Sequence, residues 1–143
     1  MKNYRALTRL RKQQFERAEQ ELMKANALLD GLLAERERLR AEERGVALPS
    51  EGDGSRVCAL LAQRRTIQSA LGLLQVRIES AAKVKEERER LLKAAHIAYE
   101  QAKSIESQML ESMMLKEKRR VQTALDEAAS RRFWRLTNRK EDF

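Results

Sequence analysis

Two hydrophobic stripes of identical spacing flank a single breaker, and that symmetry leaves few folds open to the chain. The first runs Phe15, Ala18, Leu22, Ala25, Leu29, Leu32, Arg36, Leu39, and the second Val57, Leu60, Arg64, Ile67, Leu71, Leu74, Ile78, Ala81. Both step three, four, three, four, and in each stripe seven of the eight positions are apolar. A period near 3.5 residues keeps a narrow seam facing one partner helix through a left-handed supercoil. The spacing therefore predicts an all-α fold: an antiparallel two-helix coiled-coil hairpin with a longer C-terminal helix. Folding back at Gly45–Ser55 sets Leu39 against Val57, Leu29 against Ile67 and Phe15 against Ala81, although a seven-residue slip matches the spacing equally well. In the expected register Arg11 meets Lys85 and Thr8 meets Arg88, so the polar lapses of the two seams coincide. The seam then resumes as Tyr4 with Leu92.

Composition excludes most alternatives. Of 143 residues, 36% are charged, 4% are aromatic and Pro49 is the only proline, so neither a layered globular core nor a sheet is expected. Two helices enclose no interior beyond their shared seam, and hence no pocket deep enough to desolvate a substrate. No apolar run reaches the roughly twenty residues of a membrane span and no signal-like segment opens the chain, which predicts a soluble, unexported protein. A single cysteine, Cys58, forms no internal disulfide and fits a reducing cytoplasm.

Asn3 is placed to cap a helix over about 4–44, with Gly45 where a left-handed C-terminal cap would sit. The turn, 45–55, holds three of the five glycines and the proline, and Ser55 or Asp53 then caps a second helix over about 56–136. The whole chain, 1–143, reads as one elongated domain. At about 1.5 Å per residue its arms are roughly 60 and 120 Å long. Gly31 and Gly72 fall inside helices at a cost of about 1 kcal/mol each relative to Ala, marking soft spots or close contacts.

With Met1 opposite Ala95, everything from His96 onward is expected to lack a partner within the chain. That overhang still carries Tyr99, Ala102, Ile105 or Glu106, Met109 and Met113 along one stripe. A long helix with an apolar face is marginal alone, and methionine adapts to partners of varied shape. Tyr99, Met109 and Met113 are therefore candidate contacts for another protein; a helix that bends back, or a second copy of the chain, would cover them equally.

Charge is unevenly distributed. Residues 1–12 hold five basic side chains and no acid, and residues 116–143 hold nine basic against five acidic, which accounts for more than the whole net charge of +8. Such a field attracts any polyanion and identifies none. Nucleic-acid recognition usually adds interleaved aromatics or a known module; Phe133 and Trp134 beside Arg131, Arg132 and Arg135 suit an anchor at a protein interface at least as well as base stacking. His96 has no metal-spaced companion, Cys58 reads as a small apolar residue, and the run from Lys85 to Arg90 reads as a solvated face supported by ion pairs. No phosphate loop, nucleophile triad or carboxylate pair is present. A protein without catalytic, cofactor-binding or metal-binding residues, and so not an enzyme, is expected.

The stretch Glu117-Lys-Arg-Arg-Val-Gln-Thr-Ala-Leu-Asp-Glu-Ala-Ala-Ser-Arg-Arg132, within a basic hairpin with a long C-terminal helix, resembles the FliJ/YscO/HrpO family of type III secretion and flagellar export stalk proteins. Its closest local likeness is Leu125-Asp-Glu-Ala-Ala-Ser-Arg131. Members of that family are similar to the central stalk subunit of rotary ATPases. The resemblance implies a chain at the cytoplasmic face of a secretion apparatus, with the helix termini in a hexameric export ATPase, the region near the turn at the export gate, and secretion chaperones as further partners. It places Arg5, Arg9, Asp126, Glu127, Arg131 and Arg132 toward the ATPase, and Arg64, Thr66, Ile67 and Ala70 toward the gate, where the family's aromatic residues are not matched. It implies a monomer that reaches the membrane only through its partners, in a flagellar, virulence or plant-associated system. Two rival readings follow from the residues alone: a basic coiled coil that binds nucleic acid, and a homodimeric scaffold that buries Met109 and Met113.

Overall fold

A computed structural model of the protein describes residues 2–47, 52 and 54–141, with side chains as far as residue 139. Two helices make up the fold, α1 (Lys2–Gly45) and α2 (Gly54–Glu141), and no strand occurs among the described residues. The hairpin is all-α, antiparallel, and longer in its second arm. The helices associate in two compact units, one of Lys12–Ile97 and one of Met1–Arg11 with Ala98–Phe143.

Within the unit Lys12–Ile97, the least exposed residues follow the three-four spacing on both helices. Ala25, Ile67, Leu74, Ile78 and Ala81 are buried, and Phe15, Ala18, Leu22, Leu29, Leu32, Arg36, Leu39, Val57, Leu60, Arg64 and Leu71 are half-buried. Every residue of the two stripes is thus at least half-buried. Removing such apolar area from water, at about 25 cal/mol per Å², is what holds two helices together that would each be marginal alone.

The register differs from the sequence-based expectation. Phe15, expected against Ala81, packs its ring on His96 with centroids 5.3 Å apart. Near the turn, Glu43 accepts a hydrogen bond from Gln68 Nε2 at 3.3 Å and lies 3.9 Å from Arg64 Nε. In the other unit, the Thr8 hydroxyl donates to the Ala102 carbonyl at 3.4 Å rather than lying against Arg88, a displacement of fourteen residues along α2. Arg5 pairs with Glu106 at 4.0 Å.

A two-heptad slip keeps the three-four spacing of the two seams in phase, so the choice falls to the polar positions. The expected register opposed Arg11 to Lys85 and stacked like charge in the seam. The observed one separates Arg11 from Lys85, since Thr8 lies against Ala102 and Phe15 against His96. It also sets Glu43 beside Arg64 and Glu106 beside Arg5, converting polar lapses into opposite-charge pairs. The Nε atoms of Arg36 and Arg64 are nonetheless buried without a hydrogen bond. They are the seam's weak points.

The helix ends also differ. Asn3 lies inside α1, which already begins at Lys2, so it is no N-cap. Gly45 is the last residue of α1, and no described glycine has a positive φ; the final turn closes instead through the Val46 N–H donating to the Glu43 carbonyl at 3.2 Å. That is a tightened i to i+3 ending rather than a left-handed cap. Ser55 falls in the first turn of α2, while Asp53 and Pro49 lie outside the described residues. Gly31 and Gly72 make no close contact, since a Cβ at either would meet open space.

Candidate functional site

Pairing within the chain ends near Glu106, about ten residues later than the sequence suggested. Ala102 is 5% exposed and Tyr99 half-buried, which corrects the expectation that α2 is unpartnered from His96 onward. Tyr99 is a seam residue, with Lys103 Nζ 4.6 Å from its ring centroid. Lys103 also pairs with Glu100 at 3.0 Å, and that hydrogen bond holds the ammonium pKa above its ordinary value.

Beyond Glu106 every residue through Thr137 is exposed. Met109 and Met113 lie on this bare helix together with Leu110, Met114, Leu115, Val121, Leu125, Phe133, Trp134 and Leu136. Some of its polar groups are engaged along the helix itself. Arg120 bonds Glu117 at 2.6 Å, which raises the guanidinium pKa, and Gln122 donates to Asp126 at 3.1 Å. The hydroxyls of Thr123 and Thr137 donate to the carbonyls of Arg119 and Phe133, each at 2.9 Å. Several large apolar side chains in open water on one helix form a surface suited to contact.

The residues expected to face an ATPase lie in two patches. Asp126, Glu127, Arg131 and Arg132 are exposed on the bare helix, whereas Arg5 pairs with Glu106, twenty residues earlier on α2 than Asp126, a distance of about 30 Å along a helix. Arg9 is exposed beside Arg5 on α1. The fold does not bring the two groups together.

Of the residues expected to face a gate, Ile67 is 7% exposed and belongs to the seam, so its side chain is not presented to a partner. Arg64 is half-buried beside Glu43 and Ala70 is half-buried, whereas Thr66 is exposed with its hydroxyl donating to Ala62. The structure adds a surface that sequence reasoning missed. Ala59, Ala62, Thr66, Ser69, Leu73, Val76 and Ser80 are all exposed, follow the three-four spacing, and carry no charge. This second stripe was legible in the sequence, offset from the seam by two residues, but its small and hydroxyl side chains diluted the apolar signal. Small residues allow a partner backbone to approach closely.

Cys58 is exposed beside this stripe. No group of metal-ligating residues occurs among the described residues, and no helix there is long and apolar enough to cross a membrane.

No curated protein and no solved structure matches the chain. The family model described as the flagellar FliJ protein does match, over residues 1–138. A match along nearly the whole length, on a helical hairpin with a bare second arm, makes the chain a member of the FliJ family, a component of flagellar protein export.

Proposed function

We propose that the chain acts as a central stalk in an export apparatus, engaging a hexameric export ATPase through its open end and an export gate protein through the face near its turn. The observation that carries this reading is the end of the seam at Glu106, after which a helix exposed on all sides carries both apolar and charged side chains. A ring of subunits surrounds a helix on every face. A bundle that buried one stripe against its own chain would leave only the other faces for such a partner.

Asp126, Glu127, Arg131 and Arg132, joined by Met109 and Met113, form the ATPase contact on α2, and Arg5 and Arg9 form a second contact further along the hairpin. Thr66, with Leu73 and Val76 beside it, forms the gate contact, while Ile67 supports that face from beneath and Arg64 and Ala70 flank it. Secretion chaperones are further partners. The ring carries the nucleotide chemistry and the stalk supplies contacts that differ from subunit to subunit, biasing their conformations by differential affinity. Function at the cytoplasmic face of the apparatus follows from the same reading.

The test is ATP hydrolysis by the export ATPase with and without the full chain, with mass measured by light scattering in the same samples. Stimulation by a monomeric chain is expected. A stable dimer without stimulation would favour the scaffold reading, and salt-sensitive binding of nucleic acid in its place would favour the other rival.

A further inference from the structure

Residues 128–139 of α2 are amphipathic in a way that the bare helix on either side, with Asp126 and Glu127 before and Lys140 and Glu141 after, is not. At about 100° per residue, Arg131, Arg132, Arg135 and Arg139 fall on one half of the helix. Ala129, Ser130, Phe133, Trp134, Leu136 and Thr137 fall on the other. No acidic residue interrupts 128–139. Upstream the segregation ends, because Asp126 and Glu127 lie on the same half as Phe133 and Trp134. The apolar side chains are open to solvent, with Phe133 72%, Trp134 68% and Leu136 56% exposed.

We infer that residues 128–139 lie on the surface of an anionic bilayer. A helix that docks in a protein groove uses a narrow stripe at positions i, i+3, i+4 and i+7. Here the uncharged side spans about half the circumference, from Leu136 through Phe133 to Trp134, which suits a plane rather than a groove. Phe and Trp are the side chains that settle at the depth of lipid headgroups, and the arginines on the far half reach phosphates along their aliphatic stems. Their four charges, with no acid among them, complement an anionic leaflet. The helix is too charged to span, so it lies in the plane of the interface. Arg131 and Arg132 also belong to the proposed ATPase contact, so the ring and the bilayer compete for this segment. The inference itself rests on the chain alone and stands or falls without the ATPase.

Trp134 is the only tryptophan, so its emission reports its own surroundings. The full chain is titrated with vesicles of phosphatidylcholine, and with vesicles of equal parts phosphatidylcholine and phosphatidylglycerol. A blue shift of Trp134 emission and cosedimentation with the anionic vesicles only are expected. Replacing Arg131, Arg132 and Arg135 together with Gln lowers vesicle partitioning by about a hundredfold, at roughly fivefold per arginine. Phe133→Ser keeps the reporter and reduces the shift. No shift with anionic vesicles overturns the inference, as does an equal shift with neutral ones. A shift that appears without lipid as protein concentration rises assigns the face to a second copy instead, and a shift reproduced by soluble polyglutamate assigns it to acidic protein.

Discussion

Leu74→Asp unfolds the hairpin of residues 12–97, while Leu73→Asp, one residue away, leaves its stability within about 0.5 kcal/mol. Leu74 is 4% exposed and Leu73 69% exposed. Deleting a buried leucine side chain costs about 2–5 kcal/mol by itself. A carboxylate placed there gives up much of its hydration, and that desolvation adds to the loss. Total stabilities of single domains are about 5–15 kcal/mol, and a two-helix seam has little in reserve. Far-ultraviolet circular dichroism through a urea titration checks the pair. Loss of the helical signal at 25 °C is expected for Leu74→Asp, and a midpoint close to that of the unaltered chain for Leu73→Asp. Equal midpoints for the two variants would mean that the seam does not run where the burial places it.

The second large effect lies on the bare helix. Replacing Asp126, Glu127, Arg131 and Arg132 together with Ala is expected to leave helicity intact, since all four are exposed and alanine is the best helix former. The same change weakens binding to the export ATPase by about a hundredfold, or roughly 3 kcal/mol, as charged contacts are lost at several points of one interface. Isothermal titration against the hexamer measures the loss, and circular dichroism of the same sample checks the fold. Unaltered affinity would move the contact to the apolar side chains around Met113 and Leu125.

Hydrophobic periodicity made the seam readable to the residue, because period 3.5 is imposed by geometry and every buried side chain obeys it. Register was not readable from that signal. A heptad repeat superposes on itself after seven or fourteen residues, so the apolar positions are blind to the slip and only the polar ones distinguish it. Glu43 beside Arg64 and Glu106 beside Arg5 are preferable to Arg11 against Lys85, and opposite charges carry more information on register than coinciding lapses do. The error carried forward to Tyr99, which lies in the seam, and to the start of the overhang.

Capping signals failed for a related reason. Asn3 and Gly45 have the right chemistry for helix ends, but the helix continues through Asn3, and Gly45 adopts ordinary helical geometry. Ile67 illustrates the limit of carrying roles over by position, since its side chain is buried in the seam. The exposed stripe through Leu73 and Val76 shows the converse, a surface visible in the spacing yet hidden by serine and threonine. The charged residues from Asp126 to Arg132 were found by likeness to a family rather than by pattern, and the fold confirms only that they are exposed.

Amide hydrogen exchange of the full chain, alone and with the export ATPase hexamer, tests the central claim most directly. Amides in a packed seam exchange slowly, and those of an unsupported helix quickly. Alone, residues of the seam from 12 to 97 are expected to exchange slowly and residues 107–137 quickly; on adding the hexamer, residues 107–137 and the start of α1 around Arg5 and Arg9 gain protection while the seam from 12 to 97 changes little. Slow exchange beyond residue 107 in the isolated chain, or protection by the ATPase elsewhere and not there, would contradict a stalk that presents its bare second helix to the ring.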